Sequence, residues 1–561
     1  MSHELAVDRR TLLAASTVGA AGVALATGAA APHASAAAGN RYFRHGVASG
    51  DPLPRKVVLW TRVTPTQEAT PGSGRGPRTT VTWQVARDAR FRRIVRQGEV
   101  TTGPGKDHTV KVDADRLRPG TEYYFRFLHK GVASPTGRTK TAPRKRADNG
   151  NLRLGVVSCS NLPAGYFSAY RHLARRNDLD AILHLGDYLY ERGPGEENVR
   201  QHHPDHEIVS LADYRQRHAQ YKQDPDLGDL HARLPFIAIW DDHEVTNDSY
   251  RNGAENHTPG DGEGGEGSYR KRRARAHRAY DEWMPVRLDG TARLGDGTRL
   301  FRRLRWGTLA ELTMLDLRTY RDKMVTTAAP FPMPQVQAEA DDPDRTLTGD
   351  EQMAWLKKSL SRDAAQWKLV GNSVMIAPLS MAQLPGDAVD VIHQVTGEQP
   401  SDGIPFNTDQ WDGYTADRRE LFAHIAEHGI KDAVFLTGDI HSGWASDLPL
   451  DPGAYPLGGT AGVEFVCTSV TSSNIDDITG APPRTATRTI EAGLMANNRH
   501  IKYVNFDDHG YSVLDVTPER AQMDWYVLED KTQRGTGASC DASWVTVAGS
   551  GTVAAADGPV T

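Results

Sequence analysis

The sequence predicts a layered α/β domain that follows a small β-sandwich. Three observations lead there. Short β-rich runs punctuated by Gly and Pro fill the chain before residue 147, and apolar strand-like runs alternate with helical stretches after residue 150. Four of the later runs end in thiol, carboxylate or imidazole side chains. With 561 residues, the chain has room for several domains or for one large enzyme core with accessories. Its 66 basic and 71 acidic groups leave a formal charge of −5, so no nucleic-acid-binding face is expected. Three cysteines in so long a chain cannot form a disulfide framework.

Residues 1–38 carry the three parts of an export signal. A charged head with Arg9 and Arg10 precedes an Ala/Gly-rich run over 14–31 and a small-residue cleavage site over 33–38. The run is weakly hydrophobic, which favours removal over lasting anchorage, and no other stretch is long and apolar enough to span a bilayer. The arginine pair resembles a twin-arginine signal, which exports folded proteins; a general secretory signal is the plainer alternative. The expected location is therefore extracellular, with the twin-arginine machinery as an export partner.

Residues 40–147 read as the β-sandwich, with strand candidates at 57–63, 80–85, 109–112 and 123–128. The phrase Leu117-Arg118-Pro119-Gly120-Thr121-Glu122-Tyr123-Tyr124-Phe125 resembles a late strand of fibronectin type III modules, where a tyrosine locks a corner. A polar linker covers 142–150, and 150–528 reads as the layered α/β domain. The polar, glycine-rich excursion over 251–268 suits a functional loop and disorder equally. The tail over 529–561, which contains Cys540, has no assignable structure.

The strand ends carry the chemistry. Residues 152–158 run into Cys159, 181–186 into Asp187, 236–240 into Asp241-Asp242-His243-Glu244, and 433–438 into Asp439-Ile440-His441. In open α/β sheets, ligands bind beyond the carboxyl ends of strands. Each residue alone reads as a turn, a cap or a small buried hydrophobe. Four such ends together, with adjacent carboxylates that would repel one another, call for a cation.

These residues resemble the motif set of the alkaline phosphatase D family, in the metallophosphoesterase superfamily. The likeness rests on Cys159, Gly186-Asp187-Tyr188-Leu189-Tyr190, Trp240-Asp241-Asp242-His243-Glu244 and Gly438-Asp439-Ile440-His441. The opening segment from Phe43 to Pro52 extends it over nearly the whole mature chain. The resemblance implies an α/β/β/α core behind a fibronectin III-like sandwich and an exported phosphoric ester hydrolase. It also implies that Cys159, Asp187, Tyr190 and His441 surround a ferric ion. Asp187 would bridge to a second site of Asp242, Asn247 and Asp439, whose oxygen donors suit calcium. Mn2+ or Zn2+ are expected substitutes. Where the family commonly has two asparagines, this chain has Asn247-Asp248, which adds a negative charge.

The expected reaction is attack of a metal-activated water on a phosphomonoester. A phosphodiesterase or phospholipase D-like activity is the same-class alternative, with phospholipid or teichoic-acid-like diesters as substrates. A calcium-dependent adhesion module is the non-enzymatic alternative. His243 reads equally as a group contacting phosphate or protonating the leaving oxygen, or as an outer hydrogen bond to a ligand. Arg318 reads as a phosphate contact or, on its own, as a structural salt bridge. Cys467 is expected to be buried, and His509 to lie near the rim of the site.

Overall fold

The computed structural model describes residues 40–560 except 196–198, 261, 263, 289–298, 326–337, 381–394, 396–404 and 406. The expected export signal lies outside the described residues. Among the described residues, no helix is long and apolar enough to cross a membrane.

The first strands are β1 (Val47–Leu53), β2 (Lys56–Arg62), β3 (Thr79–Ala86), β4 (Ile94–Thr102), β5 (Thr109–Ala114), β6 (Glu122–His129), β7 (Val132–Ala133) and β8 (Gly137–Lys140). β3, β4, β6, β7 and β8 form one sheet, and β1, β2 and β5 face it. The core between them contains Val57, Leu59, Val81, Val85, Phe125 and Phe127. The predicted tyrosine corner is present: Tyr123 is buried and its hydroxyl oxygen accepts a 2.8 Å bond from the Arg118 amide. Tyr123→Phe should lower stability by about 1 kcal/mol, read as a urea midpoint, and leave activity unchanged. An unmoved midpoint would contradict this role.

The sandwich does not stand apart. β9 (Leu152–Val157), β10 (Ala181–Leu185) and β11 (Phe236–Ile239) are parallel, and β1 pairs with β11 at Gly50 and Phe236. Glycine is required there, because a Cβ on Gly50 would lie 2.2 Å from the Pro285 carbonyl oxygen. Buried Asp51 adds an ion pair at 2.6 Å to Arg302.

A second sheet contains β12 (Arg302–Trp306), β13 (Ala310–Met314), β14 (Trp367–Asn372), β15 (Ala433–Thr437), β16 (Gly443–Pro449), β17 (Thr460–Val466) and β18 (Ile501–Asn505). Its order is β12-β13-β14-β15-β17-β16-β18. The chain then returns to the first sheet through β19 (Gly510–Val516), β20 (Arg520–Leu528), β21 (Ala538–Val547) and β22 (Val553–Ala555). That sheet runs β22-β21-β20-β19-β9-β10-β11-β1-β2-β5. The tail that the sequence left unassigned thus continues the sheet edge.

Alternation along single strands decides the layers. Leu369, Val434, Leu436 and Phe465 join the core shared with Leu154, Leu183 and Leu185 of the first sheet, whereas Val370, Phe435 and Val466 join another core. That second core includes Leu356 of α5 (Asp350–Leu360) and Leu421 of α6 (Thr415–Glu427). On the opposite side, α1 (Ser168–Arg175), α2 (Leu211–Lys222), α3 (Pro225–Arg233) and α4 (Tyr269–Trp283) cover the first sheet through Leu173, Tyr221, Leu230 and Tyr280. The result is the α/β/β/α order, with both sheets apolar on both faces.

The 251–268 excursion packs where it is described. Gly260 and Gly267 form an antiparallel bridge, His257 lies 3.1 Å from Glu266, and buried Arg272 ties Glu266 and the Asn256 carbonyl to α4.

Candidate metal centre

Five residues around the strand ends adopt the left-handed backbone region although none is glycine. They are Cys159 (φ 58), Asp187 (φ 54), Asp248 (φ 52), Asp439 (φ 65) and His441 (φ 57). Such conformations are costly and cluster where a fold must aim side chains. Gly186 (φ 108) gives the closest approach: a Cβ there would lie 2.5 Å from the Cβ of Asp241. β10 and β11 thereby deliver Asp187 and the Asp241–Glu244 segment to one point.

The structure brings Cys159, Asp187, Tyr190 and His441 together. Donor atoms of Cys159, Asp187 and His441 lie within 4.8 Å of one another. The Tyr190 hydroxyl donates to Asp187 Oδ2 at 2.8 Å and lies 3.2 Å from His441 Nε2. His441 Nδ1 donates to the Ser473 carbonyl at 2.8 Å, which leaves Nε2 turned towards the other donors. Burial pushes the Cys159 thiol and Tyr190 phenol well up, and Asp187 adds to both. Asp187 itself is raised by burial and by the carboxylates of Asp242, Asp241 and Glu244, against the pull of His243. Its buried Oδ1 has no hydrogen-bond partner among the described residues. An unpartnered carboxylate oxygen beside a thiol, a phenol and an imidazole fits a cation, which would remove the cost of these anionic donors.

The second half of the site is acidic. Asp187, Asp242 and His243 form one group of converging donors, and Asp241, Asp242 and Asp439 another. Asn247, the amide expected at this second site, is bound by neighbouring side chains. Its Oδ1 accepts from Arg192 at 3.1 Å, and its Nδ2 donates to Glu255 at 2.8 Å and to Asp248 at 3.0 Å. The Asp248 amide donates to Asp242 Oδ2 at 2.6 Å, and its carboxyl is pushed up to about 8 by burial and by Asp409 and Asp242.

Arg318 makes five hydrogen bonds to three carboxylates. Nε and Nη2 bind Asp241 at 2.6 and 2.8 Å, Nη1 binds Asp409 at 2.9 and 3.0 Å, and Nη2 binds Asp439 at 2.8 Å. These bonds hold Asp241, Asp409 and Asp439 in place, as the salt-bridge reading expects.

His243 is buried with its ring 4.1 Å from that of Tyr190. Its Nδ1 donates to Glu191 at 2.6 Å. Burial alone would favour the neutral ring, but Glu191, Asp187 and Asp242 outweigh it and hold the imidazole well above its ordinary value. Glu191 is fixed in turn by the Asn247 amide at 2.9 Å and by Asn256 of the 251–268 loop at 3.2 Å. Glu244 pins two strand ends together. Its Oε2 accepts from the amides of Asp187 (3.1 Å) and Asp241 (2.9 Å), and its Oε1 from that of Tyr188 (2.6 Å). Glu244→Gln places an amide N–H against one of these donors. It should cost about 1–3 kcal/mol in a denaturant titration and lower turnover without raising KM. An unchanged midpoint would remove Glu244 from this role.

Glu191 and Asp409 were missed by the sequence reasoning, which named Glu244 in its motif but gave it no role. Glu191 adjoins Tyr190, which was the available signal; Asp409 had none. Cys467 is buried, with Sγ 3.4 Å from Ser158 Oγ. A cavity of about 640 Å3 beside β12, lined by Arg303, Trp355 and Arg362 among others, contains none of the converging donors.

Side chains that could hold metal ions converge beyond the strand ends of an α/β/β/α fold, and comparison with known proteins places the chain among phosphoric ester hydrolases. The family model described as PhoD-like phosphatase matches residues 154–525, and that of its N-terminal domain matches 28–143. The chain belongs to the PhoD-like phosphatase family. It is 37% identical over 509 residues to alkaline phosphatase D of Bacillus subtilis (strain 168), covering 90% of this chain and 80% of that one. A solved structure of PhoD matches with a TM-score of 0.79 and 34% identity over 94% of each chain.

Proposed function

We propose that this protein is an exported alkaline phosphatase that hydrolyses phosphomonoesters with iron and calcium at two adjacent sites. The convergence of Cys159, Asp187, Tyr190 and His441 carries the reading. A thiolate and a phenolate suit a ferric ion, and the oxygen set of Asp187, Asp242 and Asp439 suits calcium. Cations held there would polarise the phosphoryl oxygens and lower the cost of in-line attack by water. The chain's own contributions are positional. Asp187 belongs to both donor groups and would set their separation. Glu191 holds His243 by Nδ1, so its other ring nitrogen would face the leaving oxygen and supply a proton. Arg318 and Glu244 keep the carboxylates and strand ends in register.

Export by the twin-arginine route agrees with a metal acquired before translocation. Elemental analysis of protein exported by its own signal should find iron and calcium. Chelation should abolish hydrolysis of p-nitrophenyl phosphate, and added metals should restore it. Activity undiminished by exhaustive chelation would overturn the proposal, and faster hydrolysis of bis-p-nitrophenyl phosphate or of a phospholipid would reassign the substrate to diesters.

A further inference from the structure

One loop touches three of the four donors assigned to iron. After β17, the amides of Thr471 and Ser472 donate to the Cys159 carbonyl at 3.3 and 3.2 Å. Ser472 Oγ lies 2.6 Å from the Tyr190 hydroxyl and 2.9 Å from the same Cys159 carbonyl. The Ser473 carbonyl accepts from His441 Nδ1 at 2.8 Å and so decides which ring nitrogen His441 presents. The orientation of Tyr190 and His441 therefore depends on where this backbone lies.

The loop is held from its far side. Ser469 Oγ lies 2.7 Å from the Ser472 carbonyl and 2.9 Å from His509 Nδ1. His509 Nε2 donates to Asp477 Oδ2 at 2.9 Å, in α7 (Ile475–Thr479). The same Asp477 oxygen accepts from the Asn474 amide at 3.2 Å and from the buried ammonium of Lys531. Lys531 also donates to the Thr471 carbonyl at 3.0 Å, and its own carbonyl accepts from the Tyr166 amide at 2.8 Å. Asp476, Asp477 and His509 lie close enough together to suggest another metal group. The Lys531 ammonium already balances Asp477 there, which makes the cluster a brace.

We propose that Lys531, acting with Asp477 and His509 on residues 469–473, is a positioning residue that orients Tyr190 and His441 for metal capture. This assignment rests on the reading that Cys159, Asp187, Tyr190 and His441 hold a ferric ion. A buried ammonium is costly unless its partners use it. Here it bonds a loop carbonyl and the carboxylate that holds His509. Partners of this outer kind are typically worth 10- to 100-fold in metal affinity.

The test compares the full-length wild type with Lys531→Met, Lys531→Arg and Asp477→Asn, each purified with iron. Two readouts are taken besides turnover: iron retained on dialysis against a chelator, and the visible absorption band of phenolate and thiolate bound to ferric iron. Lys531→Met and Asp477→Asn should each weaken iron retention about 10- to 100-fold and shift the band. Lys531→Arg, which keeps the cation, should recover most of both. Turnover of p-nitrophenyl phosphate should fall in the two defective variants, with KM nearly constant. If Lys531→Met does not fold, Asp477→Asn, which preserves side-chain size, bears the same expectation. Wild-type retention and band position in a folded variant that lacks the Lys531–Asp477 pair would overturn the inference alone. Absence of the band from the iron-loaded wild type would overturn the ferric reading, and this inference with it.

Discussion

Replacing Asp187 with asparagine should reduce hydrolysis of p-nitrophenyl phosphate about a thousandfold, which corresponds to ~4 kcal/mol of transition-state stabilisation. Asp187 belongs to both donor groups, so one substitution weakens both candidate sites. The substitution should act oppositely on the metal-free fold. Its carboxyl is buried, has one oxygen without a partner and stands among Asp242, Asp241 and Glu244. Asparagine keeps an acceptor for the Tyr190 hydroxyl and removes the repulsion. Thermal unfolding in the presence of a chelator should therefore move to higher temperature while activity and metal content fall. Full activity, or a lower midpoint in chelator, would mean that Asp187 serves the fold and not the metals.

Arg318→Met should be among the most destabilising single changes in the chain, at about 3–5 kcal/mol. The guanidinium is buried and binds Asp241, Asp409 and Asp439. Methionine fills much of the volume but leaves three carboxylates facing one another. Because the deficit is one of positive charge, millimolar calcium should recover part of the loss in a guanidinium titration, and recover less in wild type. A change below about 1 kcal/mol would show that the carboxylates protonate or separate when the arginine is removed.

Both effects depend on partners far apart in the chain, and this limits what the sequence disclosed. Four apolar runs and the residues that follow them were legible, because strand period and a terminal polar residue are local patterns. The Asp-Asp-His-Glu segment showed that a cation was needed. It did not show that Asp241 and Asp242 both converge with Asp439, or that Arg318 answers Asp241 across the site. Side-chain directions on an irregular segment follow no periodicity that a sequence displays. Asn247 and Asp248 repeat the case. The sequence nominated the Asn247 side chain, and only the structure shows it bound to Arg192, Glu255 and Asp248.

The sequence by itself determined the chemistry on offer: a thiol, a phenol, imidazoles and carboxylates at the ends of buried strands, in the family whose model the chain matches. It also marked the sandwich and the corner tyrosine, since both are written within short stretches. The tertiary structure alone decided which of these groups meet, how β1 continues the catalytic sheet through β11, and that Lys531 of the tail reaches the loop behind His441. The physical reason is range. Propensity, alternation and turn chemistry act over a few residues, whereas a buried charge is satisfied by whatever partner folding brings within about 3 Å, however distant in sequence.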